Sequence, residues 1–349
     1  MFSSGHAYNL GRDHSPSDQF WSPFSRIESY FVQAQKIAAV TVTYNRLNKL
    51  AVALEHTLVE ELDYVVIVNN NSTDGTAVWL DSLTDSRIHV LHLAENSGGA
   101  GGFHEGFKYI NDNLDAGWLV CFDDDAWPEN GAISKFRQLQ LDNNVGAVTA
   151  CVKLPSGKIS GMNRPGYSPF RSFPAFLRTA LKGSKGFHIT DNEYKSGNIV
   201  PVDWCSFVGC FIKCPTILEK VGYPQKELFL YGDDVMYTLS ITAKGYSLLF
   251  VSDITFYHDC ETIDQAKKVY TPLWKAYYTY RNGLLMYRKI SGVLFPFVAL
   301  MKVILWVSYL PNYGDKRRYL SVIFYAVKDG LFKNLTRSHW EVLQICGHD

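Results

Sequence analysis

Neither sign of charge is in excess in this chain: 34 Lys and Arg balance 34 Asp and Glu over 349 residues. That balance argues against a general nucleic-acid binder, which needs a basic footprint. No Cys-x-x-Cys pair occurs, so nothing indicates a zinc-ribbon or thioredoxin-like motif. The seven cysteines (Cys121, Cys151, Cys205, Cys210, Cys214, Cys260 and Cys346) are odd in number and lie mostly in apolar stretches. They read as buried free thiols in a reducing compartment, and Cys205, Cys210 and Cys214 are spaced as in a strand rather than a metal cluster. The first 25 residues are polar and lack an apolar signal-peptide core, so nothing there directs export. There is no internal repeat and no low-complexity tract. The chain also lacks the Gly-Lys-Ser/Thr ending of a P-loop and a Rossmann fingerprint at its first strand.

What is present is a globular composition, 47% hydrophobic and 19% charged, with a high aromatic share of 14%. Such aromatics suit carbohydrate contacts or a membrane interface. The length suits one large α/β domain or one domain with an appendage. Residues 1–35 show no clean periodicity. Strand and helix signals then alternate: strands over Ile37–Tyr44, Tyr64–Val68, Ile88–Leu93, Trp118–Phe122 and Gly146–Val152, with helices over Leu47–Val59, Ala77–Leu83, Phe103–Leu114 and Glu129–Gln140. That alternation predicts a parallel sheet covered on both faces. The Gly-, Pro-, Ser- and Arg-rich stretch from Pro155 to Gly197 reads as mobile loops. Val200–Ile212 then reads as one strand-like run, Asp233–Ala243 as a helix and Leu248–Val251 as a short strand.

The most informative stretch is the apolar run from Trp118 to Phe122, which ends in Asp123, Asp124 and Asp125. Side chains at the carboxyl end of a buried strand emerge at the rim where open α/β sheets bind ligands. Adjacent carboxylates repel, so the triplet calls for a cation. Asp123 and Asp125 point to the same side of an extended backbone, as a pair gripping one divalent ion would. The loop Glu95–Gly106, with five glycines, follows a strand and opens a helix. Its glycines, Gly98 and Gly99 among them, let backbone approach an anion at a helix N-terminus, or equally serve a tight crossover.

Taken together, Ala39-Val-Thr-Val-Thr-Tyr-Asn-Arg46, Val66-Ile-Val-Asn-Asn-Asn-Ser-Thr-Asp-Gly-Thr76, Asn96-Ser-Gly-Gly-Ala-Gly-Gly-Phe103 and Phe122-Asp-Asp-Asp-Ala126 resemble the family 2 inverting glycosyltransferases of the GT-A fold. The glycine-rich form is most like bacterial galactofuranosyltransferases, with rhamnosyltransferases as near relatives. The resemblance covers residues 37 to about 282. It implies a Rossmann-like, mostly parallel α/β sheet, a nucleotide-sugar donor held by Thr43, Tyr44, Arg46, Asn69, Asn70, Gly98, Gly99 and Asp124, and Mn²⁺ or Mg²⁺ on Asp123, Asp125 and His258. Within Leu228-Phe-Leu-Tyr-Gly-Asp-Asp-Val235, it implies Asp234 as general base and Asp233 as an acceptor contact. The helix N-terminus there is expected to lower both pKa values. Trp204 is implied at the acceptor site and Arg281 at an anion.

The carboxyl-terminal part differs in character. From Lys267 to His339, 13 Lys and Arg face only Asp315 and Asp329, a local balance of +11 that leaves −11 for the rest. Basic, aromatic and apolar together describe a segment lying on an anionic membrane surface, here about 284–339. Gly292–Leu310 has 19 residues with one charge, Lys302, and one proline, Pro296. An interfacial helix or monotopic hairpin is expected over a span, because a mid-helix lysine is costly in hydrocarbon. The expected organisation is therefore a flap over 1–36, a catalytic domain over 37–270 (nucleotide half about 37–126, acceptor half about 127–270) and a membrane-associating helical region over 271–349. A lipid-linked glycan acceptor at the cytoplasmic face of the inner membrane would account for that region. An oligomer is left open.

Overall fold

The computed structural model describes residues 29–31, 35–170, 173–182, 186–260 and 269–347. Most of the expected flap lies outside the described residues; within it, β1 (Ser29–Phe31) pairs antiparallel with β7 (Gln140–Asp142). The remaining strands are β2 (Ile37–Thr43), β3 (Tyr64–Asn69), β4 (Ile88–His92), β5 (Trp118–Cys121), β6 (Ala126–Pro128), β8 (Val145–Lys153), β9 (Ile199–Val202), β10 (Cys210–Lys213) and β11 (Ser247–His258). They form a nine-stranded sheet in the order β4-β3-β2-β5-β10-β8-β11-β6, with β9 also paired to β11. The pairings among β4, β3, β2 and β5 are parallel, as is β8 with β11. Strand β10 runs antiparallel between β5 and β8, so the sheet is mixed.

The two faces separate with the period of the strand. Ile37, Ala39, Val65 and Ile67 point into one core with Leu50, Leu54 and Phe136, whereas Ala38, Val40, Val66 and Val68 point into the other with Phe103, Phe107 and Ile110. Burial on both faces is why these strands read as continuous apolar runs rather than alternating ones.

Four expectations are corrected. The helix placed over Phe103–Leu114 begins at Gly98 and runs to Asn113, so most of the glycine-rich loop is helix. Its glycines serve close packing: a Cβ on Gly102 would lie 2.3 Å from Val42 Cγ1, and one on Gly106 2.5 Å from Val40 Cγ2. The run Val200–Ile212 is two strands, β9 and β10, on opposite sides of the β8–β11 pair. The short strand over Leu248–Val251 continues to His258. A register shift at Ser252–Ile254 absorbs its polar interruption, and the second half pairs with β6. The stretch from Pro155 to Gly197, read as loops, contains helices Phe173–Lys182 and Asp191–Lys195.

Beyond Tyr270, helices Trp274–Ser291, Phe295–Ser308, Lys316–Phe332 and His339–Cys346 pack together. Many of the aromatics that suggested a surface role are inside this cluster. Tyr280 stacks on Trp306 with ring centroids 4.4 Å apart, and Tyr313 on Tyr319 at 3.7 Å. Pro296 falls in the first turn of its helix, where it costs no hydrogen bond. By length and composition, the helical run Trp274–Asn312 could cross a membrane, and its second half exposes Phe297, Leu300 and Ile304.

The contact between Gly102 and Val42 sets how closely the Gly98–Asn113 helix approaches the sheet. Gly102→Ala should destabilise the protein by about 1–3 kcal/mol, seen as a lower urea midpoint. An unchanged midpoint would mean that helix and sheet part there without strain.

Candidate active site

The carboxyl ends of β2, β3 and β5 open on one rim, which β11 reaches from the other half of the sheet. Asp123–Asp125 link β5 to β6, and β6 pairs with the end of β11 so that Ala126 lies directly opposite His258. This register, rather than proximity in sequence, brings the imidazole to the aspartates. His258 Nε2 lies 3.1 Å from Asp125 Oδ1 and 3.7 Å from Asp123 Oδ2. One ligand atom from each of the three residues falls within 4.8 Å of the others. Two carboxylates and an imidazole converging in this way fit a divalent metal ion.

Asn163 is a member of the site that sequence reading missed, because it lies in the stretch taken for loops. Its side chain is buried, and its Oδ1 lies 2.9 Å from His258 Nδ1. The same oxygen accepts from Ser160 Oγ, while Nδ2 donates to Ser206 Oγ. With both amide ends engaged, the oxygen faces the ring, receives the Nδ1 proton and leaves Nε2 towards the carboxylates.

Arg46 lies across the triplet. Its guanidinium donates to Asp124 Oδ1 at 2.9 Å and to Asp125 Oδ2 at 2.7 Å, and Thr43 Oγ1 donates to Asp124 Oδ2 at 2.8 Å. These contacts sort the acids. Burial pushes Asp124 up to about 7, against the opposing Arg46 charge and Thr43 hydrogen bond. Burial alone would also raise Asp125, but the His258 hydrogen bond and the charges of His258 and Arg46 outweigh it and hold that carboxyl below its ordinary range. Asp123, the most exposed of the three, is raised by desolvation against the opposing His258 charge. For His258 burial acts downward, yet its hydrogen bond to Asp125 and the charges of Asp123 and Asp125 raise it overall.

The other predicted residues divide into two groups. Tyr44 is exposed at the mouth. Asn69 and Asn70 are buried and engaged within the chain: Asn69 bonds His92 and Ser72, and Asn70 bonds Asn96, Ser97 and Gly98. Gly98, at φ 71°, has no room for a side chain because a Cβ would meet the Phe229 carbonyl oxygen at 2.1 Å, and Gly99 follows it in the same helix turn. The glycine-rich turn is thereby docked on the loop that precedes Asp233.

That loop is strained and pinned. Phe229 (φ 63°) and Tyr231 (φ 68°) both occupy the left-handed region. Arg281 is fully buried and donates to the carbonyls of Glu227 and Leu228, and Asn282 Nδ2 to those of Leu228, Leu230 and Tyr231. The structure therefore corrects the expectation of Arg281 as an anion contact: its guanidinium holds backbone. The loop delivers Asp233 and Asp234 to the start of the Asp233–Ala243 helix. Their pKa values are raised, not lowered: desolvation outweighs the helix N-terminus, the Asp234 charge adds to the rise at Asp233, and Asp123 is near enough to repel both. Trp204 packs edge-on against His188, with ring centroids 5.1 Å apart.

Asn163→Ala should leave the fold intact and weaken Mn²⁺ binding about 10–100-fold, measured by titration calorimetry. Wild-type affinity would show that His258 needs no partner to present Nε2.

Residues 38–196 match the description glycosyl transferase family 2. The chain is 25% identical over 261 residues to the galactofuranosyltransferase GlfT1 of Mycolicibacterium smegmatis, covering 70% of this chain and 81% of that protein. It is 26% identical over 263 residues to the dTDP-rhamnosyl transferase RfbF of Shigella flexneri, covering 72% and 80%. Its fold is similar to that of the mannosyltransferase PcManGT from Pyrobaculum calidifontis, solved with GDP-Man and Mn²⁺, with a TM-score of 0.51, 16% identity and coverage of 89% and 92% of the two chains. Over residues 38–196 the chain is thus similar to the family 2 glycosyltransferases, and its mixed α/β sheet with an acidic rim at the strand ends has the GT-A fold.

Proposed function

We propose that the protein is a metal-dependent inverting glycosyltransferase that moves galactofuranose from UDP-galactofuranose to a lipid-linked glycan in bacterial surface-polysaccharide or O-antigen synthesis. The observation that carries this reading is the convergence of Asp123, Asp125 and His258 at the strand ends, with Asp234 close enough to feel the Asp123 charge. The similarity to a galactofuranosyltransferase supports the donor sugar. The equal similarity to a rhamnosyltransferase supports dTDP-rhamnose as a second reading.

In this mechanism Asp123, Asp125 and His258 hold Mn²⁺ or Mg²⁺, whose charge offsets that of the donor diphosphate. Thr43, Tyr44, Arg46, Asp124, Gly98 and Gly99 surround the nucleotide sugar, with Asn69 and Asn70 shaping the floor through their loop contacts. Asp234 takes the proton of the acceptor hydroxyl as that oxygen attacks the anomeric carbon and the bond to the diphosphate breaks on the opposite face. One such displacement inverts the anomeric centre. Asp233 and Trp204 line the acceptor side. The division into a flap over 1–36, a catalytic domain over 37–270 and a membrane-associating region over 271–349 belongs to the same proposal, as does residence on the cytoplasmic face of the inner membrane.

Two experiments test it. Turnover of UDP-galactofuranose, abolished by EDTA and restored by Mn²⁺ or Mg²⁺, is expected over turnover of dTDP-rhamnose; the opposite donor preference would select the second reading. Asp234→Asn should keep UDP binding and lose about 10²–10⁴-fold in transfer. Because burial raises Asp234 to about 6, and only its ionised form accepts a proton, wild-type transfer should fall as pH drops through that value. A flat profile across this range, or near-normal turnover by the Asn variant, would remove Asp234 from the role.

A further inference from the structure

A cavity of about 350 Å³ lies beside the site, and nothing described so far uses it. Its walls include Phe176, Trp204, Val235, Tyr287, Val298 and Lys302, and among the described residues no acidic side chain lines it. The volume is in the range of a small-ligand site. Its walls come from the Phe173–Lys182 helix, the segments around Phe170, Phe187 and Trp204, the helix bearing Asp234, and the carboxyl-terminal helices. Val235 follows Asp234 directly, so the proposed base and one cavity wall share a turn.

Among the described residues the one charge in this apolar lining is Lys302, whose ammonium sits over the Tyr287 ring, 4.7 Å from its centroid. The two helices flanking the cavity carry apolar residues on their outer surfaces: Leu181 is 76% exposed on one, Phe297 63% and Ile304 54% on the other. Exposed apolar surfaces of this kind suit a membrane interface. An apolar cavity between two such surfaces, with Lys302 in its lining and Val235 next to Asp234 in its wall, is complementary to a chain with an anionic head.

Resting on the transferase reading, we propose that this cavity receives the prenyl chain of a lipid phosphate that carries the acceptor glycan, with Lys302 meeting its phosphate. Since the cavity wall and Asp234 lie on one helical turn, the accepting sugar sits close to the lipid phosphate and not at the end of a long glycan. The enzyme thus acts early in the growth of its lipid-linked chain.

The test is photolabelling of the full-length protein in detergent with farnesyl phosphate bearing a benzophenone in its chain, with labelled peptides mapped by mass spectrometry. Labelling is expected on the segments containing Phe176 or Val298, with farnesyl phosphate competing about tenfold better than farnesol, the worth of one charge-assisted contact. Val298→Trp should cut the labelling severalfold by filling the cavity, and Lys302→Gln should erase the preference for the phosphate. Equal competition by farnesol, label confined to the outer face around Phe297 and Ile304, or undiminished labelling of folded Val298→Trp would overturn the proposal. UDP binding, measured on the same samples, separates the two readings: its loss with cavity labelling intact would count against the transferase and not against the lipid site.

Discussion

Three carboxylates on consecutive residues cannot share a low-polarity cleft unless other groups meet their charge. Two like charges about 4 Å apart repel by roughly 4 kcal/mol at the effective dielectric of a protein surface. Arg46, His258 and Thr43 offset that repulsion, Thr43 and Arg46 arriving from the end of β2 and His258 from the end of β11. The demand for compensation therefore reaches far along the chain: it requires β2 beside β5 and the end of β11 beside β6. It also separates the acids, leaving Asp125 ionised while Asp124 and Asp123 are harder to ionise. A cluster built this way is poised for a cation, because binding one relieves strain already present.

The parallel half of the sheet was legible because its strands are buried on both faces and stand as unbroken apolar runs between turn residues. The second half was harder to read. Ser252 and Asp253 interrupt β11 where its register shifts, so the apolar signal stops at Val251 although pairing resumes to His258. The stretch from Asp203 to Gly209 carries Trp204 and Phe207, whose apolar character disguised the break between β9 and β10. At the site, charge and spacing pointed to the metal-ligand candidates. The supporting groups left no such trace. Asn163 acts by accepting a hydrogen bond from the His258 ring, and any polar residue in a loop looks alike until the fold places it.

Composition left two assignments open, for one shared reason. Aromatic and basic residues beyond Lys267 suggested a surface segment, yet Tyr280, Trp306 and Tyr319 build a core and Arg281 is wholly enclosed. Glycines near a predicted helix start suggested ligand approach, yet Gly102 and Gly106 admit strand side chains. A residue type states what contacts it can make, and only the tertiary arrangement selects among them.

The hydrogen bonds from Arg281 and Asn282 have a mechanical consequence. Five donations from one helix terminate on four carbonyls, those of Glu227, Leu228, Leu230 and Tyr231, in the loop just before Asp233. The same helix leads, through the turn at Gly292, into the segment with the largest exposed apolar face. Helix and loop are thus coupled like the two arms of a crank. A tilt imposed on the outer arm by a bilayer would be transmitted as a displacement of the inner one, without any contact between lipid and the acids.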